Sequence, residues 1–199
     1  LAAPAAYRPV LTPLLLEFAR LYPQIQLDIR LSDQHSDVVD EQIDLGIRAG
    51  LLRDQSFVAV PVSKVALLLV ASPAYLASTK APTSLAELAE HPQTSVLDGS
   101  TGRAWSWFFA NGDTYTPRHV RFLVNDTAEE IAALVAGLGI GQVADFLAKP
   151  WIASGELVRL LPELEPEPWP VSLYRPQRGP VPVRIRLLFD YLREHLPKS

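Results

Sequence analysis

Cysteine is absent from these 199 residues, and so is methionine. The first absence excludes disulfides and thiolate metal sites, and mildly favours a reducing compartment or indifference to redox. The second extends to position 1, where a translated chain normally starts. The opening LAAP also lacks the positive flank and long apolar stretch of a signal peptide. The expectation is a processed or excised piece whose first strand has lost its beginning. No run approaches the roughly 20 apolar residues of a membrane span; the longest candidate, VALLLVA at 65–71, is strand-sized. Lys and Arg number 18 against 22 Asp and Glu, a formal net charge of −4, and the basic residues form no stripe. Such a balance leaves no footprint for direct contact with nucleic acid. The four histidines, His35, His91, His119 and His195, share no metal-ligand spacing. No Gly-x-Ser-x-Gly elbow or convergent Ser, His and acid arrangement is visible. No metal, cofactor or catalytic residue is expected.

What is present is a chain 48% hydrophobic, long enough to bury about 70% of its unfolded surface, as one domain or two small lobes. Apolar residues recur at helical spacing from Val10 to Tyr22, with Pro9 at the entrance and Pro23 as the stop. Ile25, Leu27, Ile29 and Leu31 alternate with polar residues, as in a half-buried strand. Ser36–Gln42 reads as a short helix, and strands follow at Leu45–Arg48, Phe57–Val62 and Val65–Ala71. Near Ser72–Pro73 the texture changes. Helices are expected at Pro73–Ala77 and Ser84–Ala89, the second with Ser84 and Glu87 at capping-box spacing. Strands at Thr94–Leu97, Trp105–Phe109 and Val120–Val124 precede a helix opened by Asp126, with Ile131, Leu134, Val135 and Leu138 on its apolar face. A strand at Ile140–Val143, a helix at Ala144–Lys149 and a strand at Leu157–Leu161 follow. PELEPEPWP, 162–170, is an extended connector, then a strand at Val171–Tyr174 and a helix from about Val181 to Leu196 end the chain. The breaks near 72 and 162–170 divide it into a first lobe of 1–72 plus 170–199 and an inserted second lobe of 73–169.

The segments LTPLLLEFARLYPQIQLDIRLSD, DLGIRAG, LLLVASPAYL, SLAELAEH, VNDTAEEIAALVAGLGIG, GELVRLLP and VRIRLLFDYL occur in that order. Together they closely resemble the effector-binding domain of LysR-type transcriptional regulators. The resemblance covers essentially the whole chain. It implies a type-2 periplasmic-binding-protein-like α/β fold, with two lobes joined by two crossover strands and a ligand cleft between them. It further implies a cytoplasmic bacterial regulator whose N-terminal winged helix-turn-helix, the DNA-binding part, is absent from this chain. Antiparallel dimers within a tetramer are implied too. The strand Ile25–Leu31, the short helix after it and the helix Thr127–Ala136 would meet across the dimer.

In open α/β sheets ligands collect beyond the carboxyl ends of strands, and five stretches are candidates. Ala5, Ala6 and Tyr7 form the turn before the first helix, where backbone N–H groups and the helix dipole suit a carboxylate; family members often carry Ser or Thr there. Ser32 and Asp33 end the second strand, where helix capping competes with ligand contact. Arg48 ends the third, its planar fork suited to a bidentate carboxylate or to an ion pair with Asp33 or Asp44. Gly99, Ser100 and Thr101 offer close backbone approach and hydroxyl donors, or a plain turn. Asn125 and Asp126 open the long helix, Asp126 with N-cap chemistry. Gln142 stands where the family frequently has Leu-Pro at 142–143, which would put an amide at the site. The expected function is recognition of a small effector, an anionic one among the candidates. A secreted solute-binding protein of a transporter, on the same fold, is the alternative. An enzyme would need an acid/base pair or a cofactor lysine, and the four lysines stand in no persuasive motif.

Overall fold

The computed structural model describes residues 1–32, 43–50, 56–177 and 180–197. Short β1 (Ala2–Ala3) passes through a 3-10 turn, Ala5–Tyr7, into α1 (Arg8–Leu21), followed by β2 (Arg30–Leu31), β3 (Gly46–Ala49) and β4 (Phe57–Val65). A second sheet then begins with β5 (Leu67–Ala71), α2 (Pro73–Leu76) and β6 (Gln93–Asp98). Next come β7 (Arg103–Ala104), β8 (Trp107–Phe108), β9 (Thr114–Tyr115), β10 (Val120–Val124) and α3 (Thr127–Val135). The sheet closes with β11 (Ile140–Ala144), α4 (Asp145–Ala153) and β12 (Val158–Leu160); β13 (Trp169–Pro176) and α5 (Val183–His195) belong again with the first sheet. The chain therefore passes from one unit to the other twice, at Val65–Ala66 and Pro168–Trp169.

The first sheet has the order β2-β1-β3-β13-β4. β1 runs parallel to β2 and β3, whereas β13 is antiparallel to both β3 and β4. Leu11, Leu15 and Phe18, spaced four and three apart, make the buried stripe of α1, and α5 buries Leu188, Tyr191 and Leu192. The rings of Phe18 and Tyr191, 5.3 Å apart, join the two helices. Of the expected strand Ile25–Leu31 only Arg30 and Leu31 enter the sheet. Their partner β1 is two residues long, so the ladder has nothing further to pair with, apart from the Leu1 ammonium donating to the Asp28 carbonyl at 2.7 Å. The expected helix Ser36–Gln42 lies outside the described residues.

The second sheet runs β10-β6-β11-β5-β12, with β7 added to β6 and the hairpin β8–β9 beside it. Here the lobe boundary drawn from sequence moves from 72 to 65. Residues 67–71 pair antiparallel along their whole length with β11, from Ile140 opposite Ala71 to Ala144 opposite Leu67. Their unbroken apolar run follows from burial on both faces. Leu69 and Ala71 pack with Tyr75, Leu88, Trp107 and Ile140, while Leu68 and Val70 pack with Ile131, Leu134, Val143 and Leu157. The capping box expected from Ser84 does not form, since the 3-10 turn there is entered from Leu85 without a side-chain cap; the Glu87 carboxylate instead accepts from the Thr83 N–H at 2.8 Å and from its hydroxyl at 3.0 Å. Gly139 sits at φ +152°, and a Cβ there would strike the Pro92 carbonyl. Close approach to that backbone explains this glycine.

Candidate functional site

The stretch that ends β3, Gly46-Ile47-Arg48, is built around Tyr174. Tyr174 lies opposite Gly46 and Ser172 opposite Arg48 in the antiparallel register. Residues opposite one another project from the same face, so Gly46, Arg48, Ser172 and Tyr174 share one side of the sheet. Glycine is required at 46 because any Cβ would run into the Tyr174 ring. Phe57 closes on that ring edge-on, with centroids 5.4 Å apart. Burial pushes the Tyr174 phenol up, and the positive charge of Arg48 pulls it back down, so guanidinium and phenol feel one another. Ile47 is buried and Arg48 exposed, although Gly46, Ser172 and Tyr174 on the same face as Arg48 are buried. Among the described residues no carboxylate pairs with Arg48, Asp44 included, and Asp33 lies outside them. Ala5 and Ala6 are half-buried and Tyr7 is buried, all in the 3-10 turn entering α1. Ser32 is exposed, its N–H held by the Ala3 carbonyl at 3.0 Å.

The second unit treats its candidates differently. After β6 the Asp98 carboxylate gathers the loop onto itself, accepting from the Ser100 N–H (2.9 Å), the Ser100 hydroxyl (2.7 Å) and the Thr101 hydroxyl (2.9 Å). Those bonds, the Ser100 hydroxyl's foremost, hold Asp98 below its ordinary range. Two hydroxyls expected to face an effector are thereby spent on a neighbouring carboxylate, while Gly99 is an exposed corner of the same turn. Asp126 caps α3, accepting from the Ala128 N–H at 2.8 Å, and Asn125 beside it is exposed. Gln142 is a clasp: its amide oxygen accepts from the Phe108 N–H (2.8 Å) and its NH2 donates to the Phe108 carbonyl (2.7 Å). The amide expected at a ligand edge is engaged in fastening β8 to β11.

Three buried polar groups escaped the sequence reading. Gln93 makes four hydrogen bonds, donating to the Leu88 carbonyl and Tyr115 hydroxyl and accepting from the N–H groups of Arg118 and His119. His91 meets the Tyr75 hydroxyl through Nδ1 at 2.7 Å. Glu130, four residues before Leu134, lies on the apolar side of α3 and is 1% exposed. That spacing was the available signal, but a carboxylate in a first turn ordinarily reads as solvated.

The LysR substrate binding domain model matches residues 1–197. The chain belongs to the LysR substrate-binding family. Relatives at the sequence level include a probable HTH-type transcriptional regulator LtrA of Klebsiella pneumoniae, 31% identical over 97% of this chain and 63% of the relative. PtxR of Pseudomonas aeruginosa, an HTH-type transcriptional regulator, is 32% identical over 92% of this chain and 58% of its own length. This LysR domain thus spans about three fifths of the curated regulators it matches. Among solved structures, the regulatory domain of AphB from Vibrio vulnificus superposes with a TM-score of 0.82 at 27% identity, covering 96% of this chain and 95% of that one. The regulatory domain of CrgA from Neisseria meningitidis, a LysR-type regulator, gives 0.82 at 27%, covering 98% and 97%. The fold is accordingly the two-lobed, type-2 periplasmic-binding-protein-like α/β fold of LysR regulatory domains.

Proposed function

We propose that this LysR domain is the sensor of a cytoplasmic bacterial transcriptional regulator, responding to a small organic effector of anionic character. DNA contact would come through a winged helix-turn-helix outside this chain. The observation that carries the anionic preference is Arg48, an exposed guanidinium at the carboxyl end of β3 beside the Tyr174 phenol. An always-charged planar donor held by a buried strand suits a carboxylate better than a neutral or cationic ligand. Ser32 and the Ala5–Tyr7 turn, at neighbouring strand ends of the same sheet, complete the first unit's set of contacts; Asp33 is proposed with them. In the second unit, Asn125 and the backbone of the Gly99–Thr101 turn remain candidates, because the side chains of Ser100, Thr101 and Asp126 are held by their own loops. The effector acts by binding two arrangements of the regulator unequally; a hundredfold preference amounts to about 2.7 kcal/mol.

A thermal-shift screen of small carboxylates against this chain tests the proposal. The expected result is a carboxylate that raises the melting temperature in the wild type and fails to do so in Arg48→Ala. Equal stabilisation of both proteins would remove Arg48 from the site, and stabilisation by amines alone would overturn the anionic class. We further propose self-association as an antiparallel dimer within a tetramer, in line with exposed Ile29 next to β2 and exposed Leu123 on β10. A strictly monomeric sedimentation profile at high micromolar concentration would place assembly outside this chain.

A further inference from the structure

Glu130 is the one carboxyl of the described residues sealed to this degree without a cationic partner, and its surroundings are shaped to receive it. It enters from the first turns of α3 and accepts a hydrogen bond from the Thr94 hydroxyl of β6 at 3.3 Å. Gly141 of β11 leaves the space. A Cβ there would lie 2.5 Å from Thr94 Oγ1, 3.1 Å from a Leu134 methyl and 3.2 Å from Glu130 Oε1. Three elements of the second unit therefore meet at one carboxyl group, with a hydroxyl, a bare backbone and leucine around it. A neutral acid fits such a place; an anion there has lost its water for one long hydrogen bond.

The geometry points to Glu130 as a proton-operated latch: as the neutral acid it seats the first turns of α3 on β6 and β11, and on ionisation it releases them. α3 packs against β5, β6, β10, β11 and α4. The charged groups on these elements are Asp98, Arg121, Asp145 and Lys149, with Asp126 and Glu129 at the start of α3 itself. None of them bears on Glu130. Burial raises its carboxyl to about 8, opposed by the Thr94 hydroxyl alone. Asp145, the other buried acid nearby, is paired with Lys149 at 2.6 Å and differs in that respect. The sign follows from proton counts. Between the ordinary carboxyl range and about 8 the folded chain keeps a proton that the unfolded chain has lost. Stability from this group is therefore whole in acid, declines as pH rises through that window and levels off above it. The latch needs no effector and stands whether or not the sensor reading holds.

Glu130→Gln supplies a side chain of the same shape that cannot ionise. The test is chemical denaturation of this chain and of the variant from pH 5 to pH 9, with hydrogen exchange of the α3 amides at each end. The expected result is a variant-to-wild-type ratio of folding constants that grows by about tenfold or more across the range. A lower protection factor for the α3 amides at pH 9 than at pH 5, after correction for the base-catalysed intrinsic rate, is expected in the wild type alone. A ratio independent of pH would overturn the latch. Should the variant not fold, the carboxyl carbon of Glu130 in 13C-labelled wild type decides: a midpoint near 8 supports the proposal, and one in the usual carboxylate range sinks it.

Discussion

Among the described residues, Gln93, Thr94, Glu130, Gln142 and Asp145 are buried polar side chains of the second unit, whereas the first unit buries Ser172. The contrast has a structural origin. β5 is covered on both faces by apolar clusters, so polar side chains on the elements packed around it are answered from inside the unit. In the first unit the polar groups at strand ends, Arg48 and Ser32, point outward. One region spends its hydrogen-bonding capacity on holding loops and short strands in place; the other keeps a charge available. Under the proposed sensor role, rigidity would come from the second unit and ionic recognition from the first.

The sharpest way to break that contrast is Gln93→Leu, which preserves bulk and deletes all four hydrogen bonds at a fully buried position. It orphans groups on three separate stretches, and a cost of about 3–5 kcal/mol is expected in equilibrium unfolding. A loss under about 1 kcal/mol would mean that the second unit does not depend on its internal polar ties. Gln142→Ala removes the clasp on Phe108 alone. Because the hairpin β8–β9 is also held by buried Trp107, about 1–3 kcal/mol is expected. The loss should appear first as faster hydrogen exchange at the Phe108 amide.

Gln142 also shows what the sequence could and could not disclose. The two-unit layout was legible because apolar periodicity and the Pro- and Glu-rich stretch at 162–170 are local signals, and the ordered segments fixed the family. The boundary near 72 was misplaced because pairing of residues 67–71 with β11 is non-local: an LLLVA run reads the same in either sheet. Side-chain partners were the least legible. Nothing adjacent to Gln142 reveals that Phe108, thirty-four residues earlier, presents an N–H and a carbonyl at amide spacing. Asp98 stands two residues before Ser100, and the bonds between them are those of the plain turn that stood as the alternative to effector contact.

Arg48→Ala should behave oppositely to the Gln93 variant. Exposed and without a carboxylate partner among the described residues, it is expected to change stability by no more than about 0.5 kcal/mol. The same change should abolish stabilisation by the carboxylate effector. A large loss of stability with ligand response intact would invert the assignment of the two units.

The smallest effect is expected at Ser100→Ala. The Ser100 hydroxyl and N–H are foremost in holding Asp98 below its ordinary range, and Thr101 adds to them. A lowered carboxyl contributes stability that is present above its unfolded value and disappears as pH falls through the folded one. Deleting the hydroxyl should move the Asp98 titration, followed by 13C NMR, up toward the ordinary range. By the same linkage the loss of stability is present at neutral pH, where solvent screening keeps it small, and fades as pH falls through the Asp98 range. An unmoved Asp98 midpoint would show that the N–H groups and Thr101 suffice. The Ser100 hydroxyl would then return to the pool of donors open to a ligand, and the contrast between the two units would narrow at that loop.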